Sequence, residues 1–352
     1  MSSNETTAEK PTTDWADDDY VAAENTSFFS RLYSGTGAFD VVGPRSRRRL
    51  YVISGVIMVI CVLSMIFRGF TPGIDFEGGT QVSIPASDTV TTSSVSDAFS
   101  AALGQAPESV QKAGTGAAAT IQVRTETLSH EDAAKLTESL ASTFKINQSD
   151  VSSSDVSSTW GAEITRKMVI ALIVFLVVVF IYIAIRFDRE MSAAALVSLL
   201  FDVVATAGVY SLVGWEVTPA TVIGLLTILG FSVYDTVVVF DKVEENTRSV
   251  FASSRRTYSE QTNLAVNQTF MRSINTTVIS VLPIIALIVI AVWMLGVGTL
   301  KDLALIQLVG VVVGTYSSIF LASPLLVTLK ERREDVKRHT AKVFARRERA
   351  AA

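Results

Sequence analysis

Six apolar runs, each near the length of a membrane span, constrain this chain more than any other feature. A helix rising about 1.5 Å per residue needs roughly 20 apolar residues to cross about 30 Å of hydrocarbon. The runs fall at residues 50–67, 168–185, 191–213, 217–240, 277–295 and 302–329. They predict a polytopic α-helical membrane protein with six transmembrane helices. Composition agrees: 49% of the 352 residues are apolar and the mean hydropathy is +0.40, both high for a soluble chain.

The net charge of -4 hides a segregation along the chain. Residues 1–25 are acidic and rich in Ser and Thr, and read as disordered. Residues 27–33 (SFFSRLY) fit a short interfacial helix or a sticky tail equally well. Arg45, Arg47, Arg48 and Arg49 precede the first run, while Lys242, Arg248, Arg255, Arg256 and Arg272 follow the fourth. The tail, residues 330–352, is densely basic. The positive-inside bias puts these segments, and so both termini, in the cytoplasm. Trp160, Trp215 and Trp293 at outer ends and Tyr51 and Tyr182 at inner ends agree, and only Arg166 and Lys167 oppose. The polar N-terminal segment does not read as a cleavable signal. Cys61 is the single cysteine, which excludes an intramolecular disulfide.

Residues 68–167 have the polar content of a water-soluble module and are too long for a loop. Strands are expected at 80–84, 109–112, 120–124 and 149–157. One helix is expected at 93–103, stopped by Gly104, and another from Ser129 to Phe144, opened by a Ser-His-Glu-Asp capping box. That order is βαββαβ, a small ferredoxin-like α+β domain placed outside the membrane between the first two helices. The other outer connections, 214–217 and 296–301, are too short to hold a domain.

Within the apolar runs, ionisable groups stand out. An ionised Asp near mid-bilayer costs about 2.5 to 3.5 kcal/mol, so it needs a partner, water or a proton. Asp235 lies in the fourth run, with Ser232 and Thr227 expected on its helical face. Arg272, at similar depth on the fifth, is the natural cation for it, and a desolvated carboxylate beside a cation can take up and release a proton during a cycle. A bland reading stays open for both: an Asp bonded across a bundle and an Arg anchored at the interface. Asp202 lies in the third run. Two carboxylates on successive helices also admit an intramembrane aspartyl protease, but Asp202 sits in Leu-Leu-Phe-Asp without the Gly-x-Gly-Asp segment, and an Arg beside the pair opposes proton sharing. Gly310, Gly314 and Ser318 have small-xxx-small spacing that allows close helix packing, and Pro283 and Pro324 are candidate kinks, with a plain role as packing devices the favoured expectation. No P-loop, metal-ligand cluster or Ser/His/Asp set accompanies His130 and His339, so neither a cofactor nor an enzymatic activity is expected.

Several motifs carry a family resemblance. Gly73-Ile-Asp-Phe-Glu-Gly-Gly79 resembles the Gly-x-Asp-Phe-x-Gly-Gly signature of the SecD/SecF translocase subunits, and Phe39-Asp-Val-Val-Gly43 fits the same family. Val217-Thr-Pro-Ala-Thr through Leu-Thr-Ile-Leu-Gly to Asp235-Thr-Val-Val-Val-Phe-Asp241 is similar to its SecF branch, as are Arg272-Ser-Ile-Asn-Thr276 and Gly314-Thr-Tyr-Ser-Ser-Ile-Phe-Leu-Ala-Ser-Pro324. Departures are Tyr234, where the family has Asn, residues 241–246 (DKVEEN), and residues 158–163 (STWGAE), which lack a Gly-Pro lead-in.

The resemblance implies a proton-driven accessory subunit of the bacterial Sec machinery, related to the resistance-nodulation-division transporters. It implies pairing with SecD, work beside SecYEG with SecA and YajC nearby, and a multi-pass place in the cytoplasmic membrane. Asp235 and Arg272 match residues implicated in proton conduction, with Asp202 a further candidate. Gly73, Asp75, Phe76, Gly78 and Gly79 would form the joint to the outer domain. An Asp beside an Arg suits H⁺ better than a sodium cage. The alternatives are half of a small-molecule exporter of the wider superfamily and a passive assembly scaffold.

Overall fold

The computed structural model describes residues 39–113, 119–294 and 298–351. The expectations for residues 1–25 and 27–33 lie outside them, as does the Trp293 side chain. Helix α1 (Pro44–Phe67) has proline in its first turn, where a missing N–H leaves no bond unmade. The chain then passes through β1 (Thr71–Pro72) and a single turn, α2 (Ile74–Glu77), into an α/β module.

The module runs β2 (Gly79–Pro85), α3 (Thr92–Leu103), β3 (Ser109–Ala113), β4 (Thr120–Thr125), α4 (His130–Phe144) and β5 (Ser152–Val156). Its sheet has the order β3-β4-β2-β5 with every neighbour antiparallel. Alternation sends Val82 and Ile84 of β2 and Ile121 and Val123 of β4 to one face. There they bury against Val95 and Phe99 of α3 and Leu136 and Leu140 of α4. Helix α3 is closed by a reciprocal Thr91–Ser94 capping box and by Gly104 in the left-handed region. At α4 the expected box takes another form. Ser129 Oγ accepts from the Asp132 amide (3.1 Å) and donates to the Asp132 carboxylate (2.7 Å), because the short Asp side chain meets the hydroxyl instead of the Ser129 amide.

Five further long segments complete the bundle: α5 (Ser158–Arg186), α6 (Arg189–Val213), α7 (Pro219–Thr247), α8 (Tyr258–Ala286) and α9 (Gly298–Ser317), with β6 (Glu216–Val217) between α6 and α7. Helix α8 continues as a π-helix, Leu287–Met294, and α9 passes through a π-segment, Ser318–Ala322, into α10 (Ser323–Lys330). Among the described residues, six helices are long and apolar enough to cross a membrane. Several outrun their apolar stretches: α5 begins at Ser158, so Arg166 and Lys167 belong to its body, and Lys167 pairs with Glu163 one turn back at 2.8 Å. The π-segment Ser318–Ala322 lies just ahead of Pro324, whose ring and missing N–H disturb the α-ladder of the preceding turn, whereas Pro283 stays inside α8, four residues before the other π-segment.

Helices α7 and α9 run parallel and pack rung by rung. Gly224 meets Ile306, Ile228 meets Gly310, Ser232 meets Gly314, and Thr236 bonds Ser318 at 3.1 Å. A Cβ at Gly224, Gly310 or Gly314 would collide with the side chain opposite. Helix α1 lies on α6, with Gly208 against Cys61 and Ser64 3.1 Å from Ser211. At the other end, the segment before α1 is clasped by α8. Asn263 accepts from the Val41 amide (2.9 Å) and Asn267 from the Phe39 amide (2.9 Å), while both donate to the Phe39 carbonyl. The tail helix α11 (Glu334–Ala351) buries Val336 and Val343, and its Arg347 forks onto Glu260 at 2.8 Å.

Candidate functional site

Asp202 and Asp235 are both in the interior, 2% and 4% exposed. Asp202, on α6, accepts a short hydrogen bond from Ser232 of α7. Asp235, three residues further along α7, accepts from Ser273 of α8 at 2.7 Å. Ser318, in the π-segment, joins the two: it stands beside Asp235, accepts from Thr236, and donates to the carbonyls of Gly314 (2.7 Å) and Ser232 (3.4 Å). Beyond Ser273, Thr277 donates to the Ser273 carbonyl and lies 2.7 Å from Thr315.

The result is a polar thread through four helices, from Asp202 by way of Ser232, Ser318 and Asp235 to Ser273. It is not saturated. Asp202 Oδ1, Asp235 Oδ2 and the hydroxyls of Ser198, Thr206 and Ser323 are buried without a protein hydrogen-bond partner. A buried orphan acceptor costs about 1 to 3 kcal/mol, so these oxygens are positions where a proton or water lowers the energy. The π-turn at Ser318 has a part in this, since local widening brings an extra backbone step and its hydroxyl to Asp235.

Arg272 does not pair with Asp235. Its guanidinium donates to the Tyr234 phenol oxygen at 3.2 Å, and both side chains lie on the exposed face of the bundle, Tyr234 at 53%. Neighbouring helix positions point about 100° apart, so turning Ser273 toward Asp235 turns Arg272 away. Thr227 is also off the thread. Eight residues from Asp235 is about 80° around the helix, and its hydroxyl bonds the Ile223 carbonyl on an exposed side.

The joint residues gather where the module meets the bundle. β1 pairs in parallel with β6, Thr71 opposite Glu216 and Pro72 opposite Val217, and the Gly73 amide donates to the Val217 carbonyl at 2.7 Å. Gly73 has an ordinary extended backbone and is needed for proximity, since a Cβ there would lie 3.1 Å from the Val217 oxygen. Gly78 (φ 85) and Gly79 (φ 135) are the positions whose backbones call for glycine. The Phe76 carbonyl packs against Gly161 of α5. Asp75 is half-buried on the α2 turn; burial pushes its carboxyl above the usual range, against the pull of Arg124 and with Glu216 adding to the rise.

Sequence reading missed Ser273, Ser318 and Thr236, and at the joint Arg124 and Glu216. Ser273 and Ser318 were visible only as parts of motifs. A hydroxyl mid-span is common, and nothing in the chain says which of them meets a carboxylate.

These features define a multi-pass helical membrane protein with ionisable groups enclosed in its bundle and an α/β module set between its first two spans. Residues 135–332 match the family described as protein export membrane protein SecD/SecF, C-terminal, and residues 63–90 match the SecD/SecF GG motif. The chain is similar to the protein translocase subunit SecF of Mycobacterium tuberculosis, 59% identical over 91% of this chain and 74% of that one. It is also similar to that of Streptomyces coelicolor, 39% identical over 92% of this chain and 85% of the other. The crystal structure of SecDF from Thermus thermophilus superposes with a TM-score of 0.72 at 32% identity, covering 84% of this chain but 39% of that longer one. The chain belongs to the SecD/SecF family of protein export membrane proteins, as a SecF-type protein translocase subunit.

Proposed function

We propose that this subunit uses the proton motive force to promote preprotein translocation across the bacterial cytoplasmic membrane, paired with SecD and working beside SecYEG, with SecA and YajC nearby. The observation that carries the reading is Asp235: interior, held by one serine of the neighbouring helix, with its second oxygen unpartnered. A carboxylate so placed exchanges a proton at the cost of one hydrogen bond. Each charge crossing 100 mV supplies about 2.3 kcal/mol, enough to shift a two-state equilibrium some fiftyfold.

In this reading the basic segments and both termini are cytoplasmic, and the α/β module, ferredoxin-like in its strand order, lies outside. A proton entering from outside neutralises Asp235, loosens its bond to Ser273 and shifts α8 against α7. No cofactor takes part. SecD is the partner that covers the face bearing Tyr234 and Arg272, since a guanidinium exposed within a span is costly against lipid. Fused SecDF proteins of Thermus thermophilus and Bacillus subtilis, 33% and 29% identical to this chain, support the pairing.

The test is gradient-stimulated completion of preprotein export with Asp235→Asn, in a variant that still assembles with SecD. Loss of stimulation is expected. Stimulation that survives would sink the motor reading and leave a scaffold.

A further inference from the structure

The covalent joints between the α/β module and the bundle lie at one side of its sheet. The chain enters from α1 through β1 and α2 into β2, and leaves from β5 into α5. In the sheet order β3-β4-β2-β5, those two strands are adjacent at one edge. A module tied at one edge alone would pivot about it.

A second tie exists at the opposite half of the sheet, built from charge. Arg124 of β4 pairs with Glu216 of β6 at 2.9 Å, with both side chains largely buried at 7% and 13% exposed, and donates to the Pro72 carbonyl at 2.9 Å. Gln111 of the edge strand β3 donates to the same Glu216 carboxylate at 2.6 Å and accepts from Lys301 at 3.3 Å. Asp75 and Asp302 stand close enough to feel the pair, and Lys301 lies 3.8 Å from Asp302.

The anchor points matter more than the bonds. Glu216 lies just ahead of Pro219, the first residue of the helix that carries Asp235. Lys301 lies in the first turn of the helix that leads to Ser318. The module is thus fastened to the near ends of the two helices that carry Asp235 and its neighbour Ser318.

We infer that the Arg124–Glu216 pair, with Gln111 and Lys301 at its rim, is the latch that sets the posture of the α/β module on α7 and α9. These are positioning residues. A buried ion pair suits the task, because removing one partner strands the other charge and the docked arrangement loses its advantage. A shift of α7 or α9 at the thread moves Glu216 or Lys301 at the far end and so strains or relaxes the latch. This last step rests on the proton reading proposed above, whereas the posture does not.

The test uses the full chain assembled with SecD, with Cys61→Ala and spin labels at Glu138→Cys on α4 and Glu245→Cys on α7. Distance distributions are measured without a gradient. The unaltered latch is expected to give one narrow distance, and Glu216→Ala a shifted or broadened one. Gln111→Ala, which spares the ion pair and both buried charges, is expected to move the distribution the same way but less. Narrow, unshifted distances in both variants overturn the latch. Export is then read with a gradient: stimulation lost in Glu216→Ala with assembly intact joins posture to coupling. A moved module with full stimulation keeps the latch and removes its link to the protons, an outcome separate from failure of the Asp235→Asn test.

Discussion

The Ser273 hydroxyl donates to Asp235 at 2.7 Å, and it alone among the described residues gives that carboxylate a hydrogen bond from the fifth span. The carboxylate proposed above as the proton site is therefore held by a neutral group, while Arg272 bonds Tyr234. Protonation then changes one hydrogen bond where it would otherwise break an ion pair, which keeps the site reversible over a modest energy range.

Ser273→Ala removes that donor and leaves a buried carboxylate oxygen unpaired. The expected cost is about 1 to 3 kcal/mol of stability, read as a lower melting temperature of the purified SecD complex. Gradient-stimulated export should fall but persist, unlike in Asp235→Asn. A melting temperature equal to that of the unaltered protein would show that the serine is incidental.

Tyr234→Phe deletes the acceptor of Arg272 while keeping the ring. Because that contact lies on the exposed face, the variant should fold normally and weaken SecD association slightly, whereas Arg272→Leu should weaken it strongly. Co-purification with SecD measures both, and equal yields for the two variants would refute the assignment of this face.

Gly310→Leu and Gly314→Val press new atoms onto Ile228 and Ser232. Overpacking costs about 1 to 3 kcal/mol or more when neither helix can give way. Reduced folded yield is expected for both. In Gly314→Val the thread is disturbed as well, since Ser232 holds Asp202. Normal folding of both variants would mean that the ladder tolerates separation.

Asp75 gives a pH dependence with a definite sign. Its carboxyl is raised in the folded state by burial, so the folded protein binds the proton more tightly than the unfolded chain. Its contribution to stability is then greatest at low pH and is lost as pH rises through the raised value. Asp75→Asn should stabilise the protein at neutral pH and flatten the melting profile above the ordinary carboxylate range. A profile unchanged by the substitution would contradict the burial described for this turn.

The long helices and the order of strands in the module were legible from periodicity, because membrane length and strand alternation are local rules. Gly104 and Ser129 marked helix ends for the same reason. Partner choice was not legible. Arg272 looked like the partner of Asp235 because depth can be read from sequence, but rotation about the axis depends on packing, and packing turned Ser273 inward instead. Arg124 and Glu216 are far apart in the chain and ordinary in type, so only the folded arrangement brings them together. The segment Phe39–Gly43 was recognisable as a motif, yet its work, presenting backbone to Asn263 and Asn267, follows from tertiary position.

The ladder between α7 and α9 limits how this machine can move. Every rung sets a small residue or a hydroxyl against its opposite, and the bulky member alternates sides, Ile306 on one helix and Ile228 on the other. Sliding by one turn in the direction that sets Ile306 opposite Ile228 would drive those isoleucines into each other. The ladder blocks that stroke, so in the proposed reading the freedom to respond at Asp235 belongs to the flanking helices α6 and α8. In that reading the stroke is a parting of the sides around this spine, with a serine-to-aspartate bond on each flank, Ser232 to Asp202 and Ser273 to Asp235, beside the Tyr210–Asp302 and Thr277–Thr315 contacts.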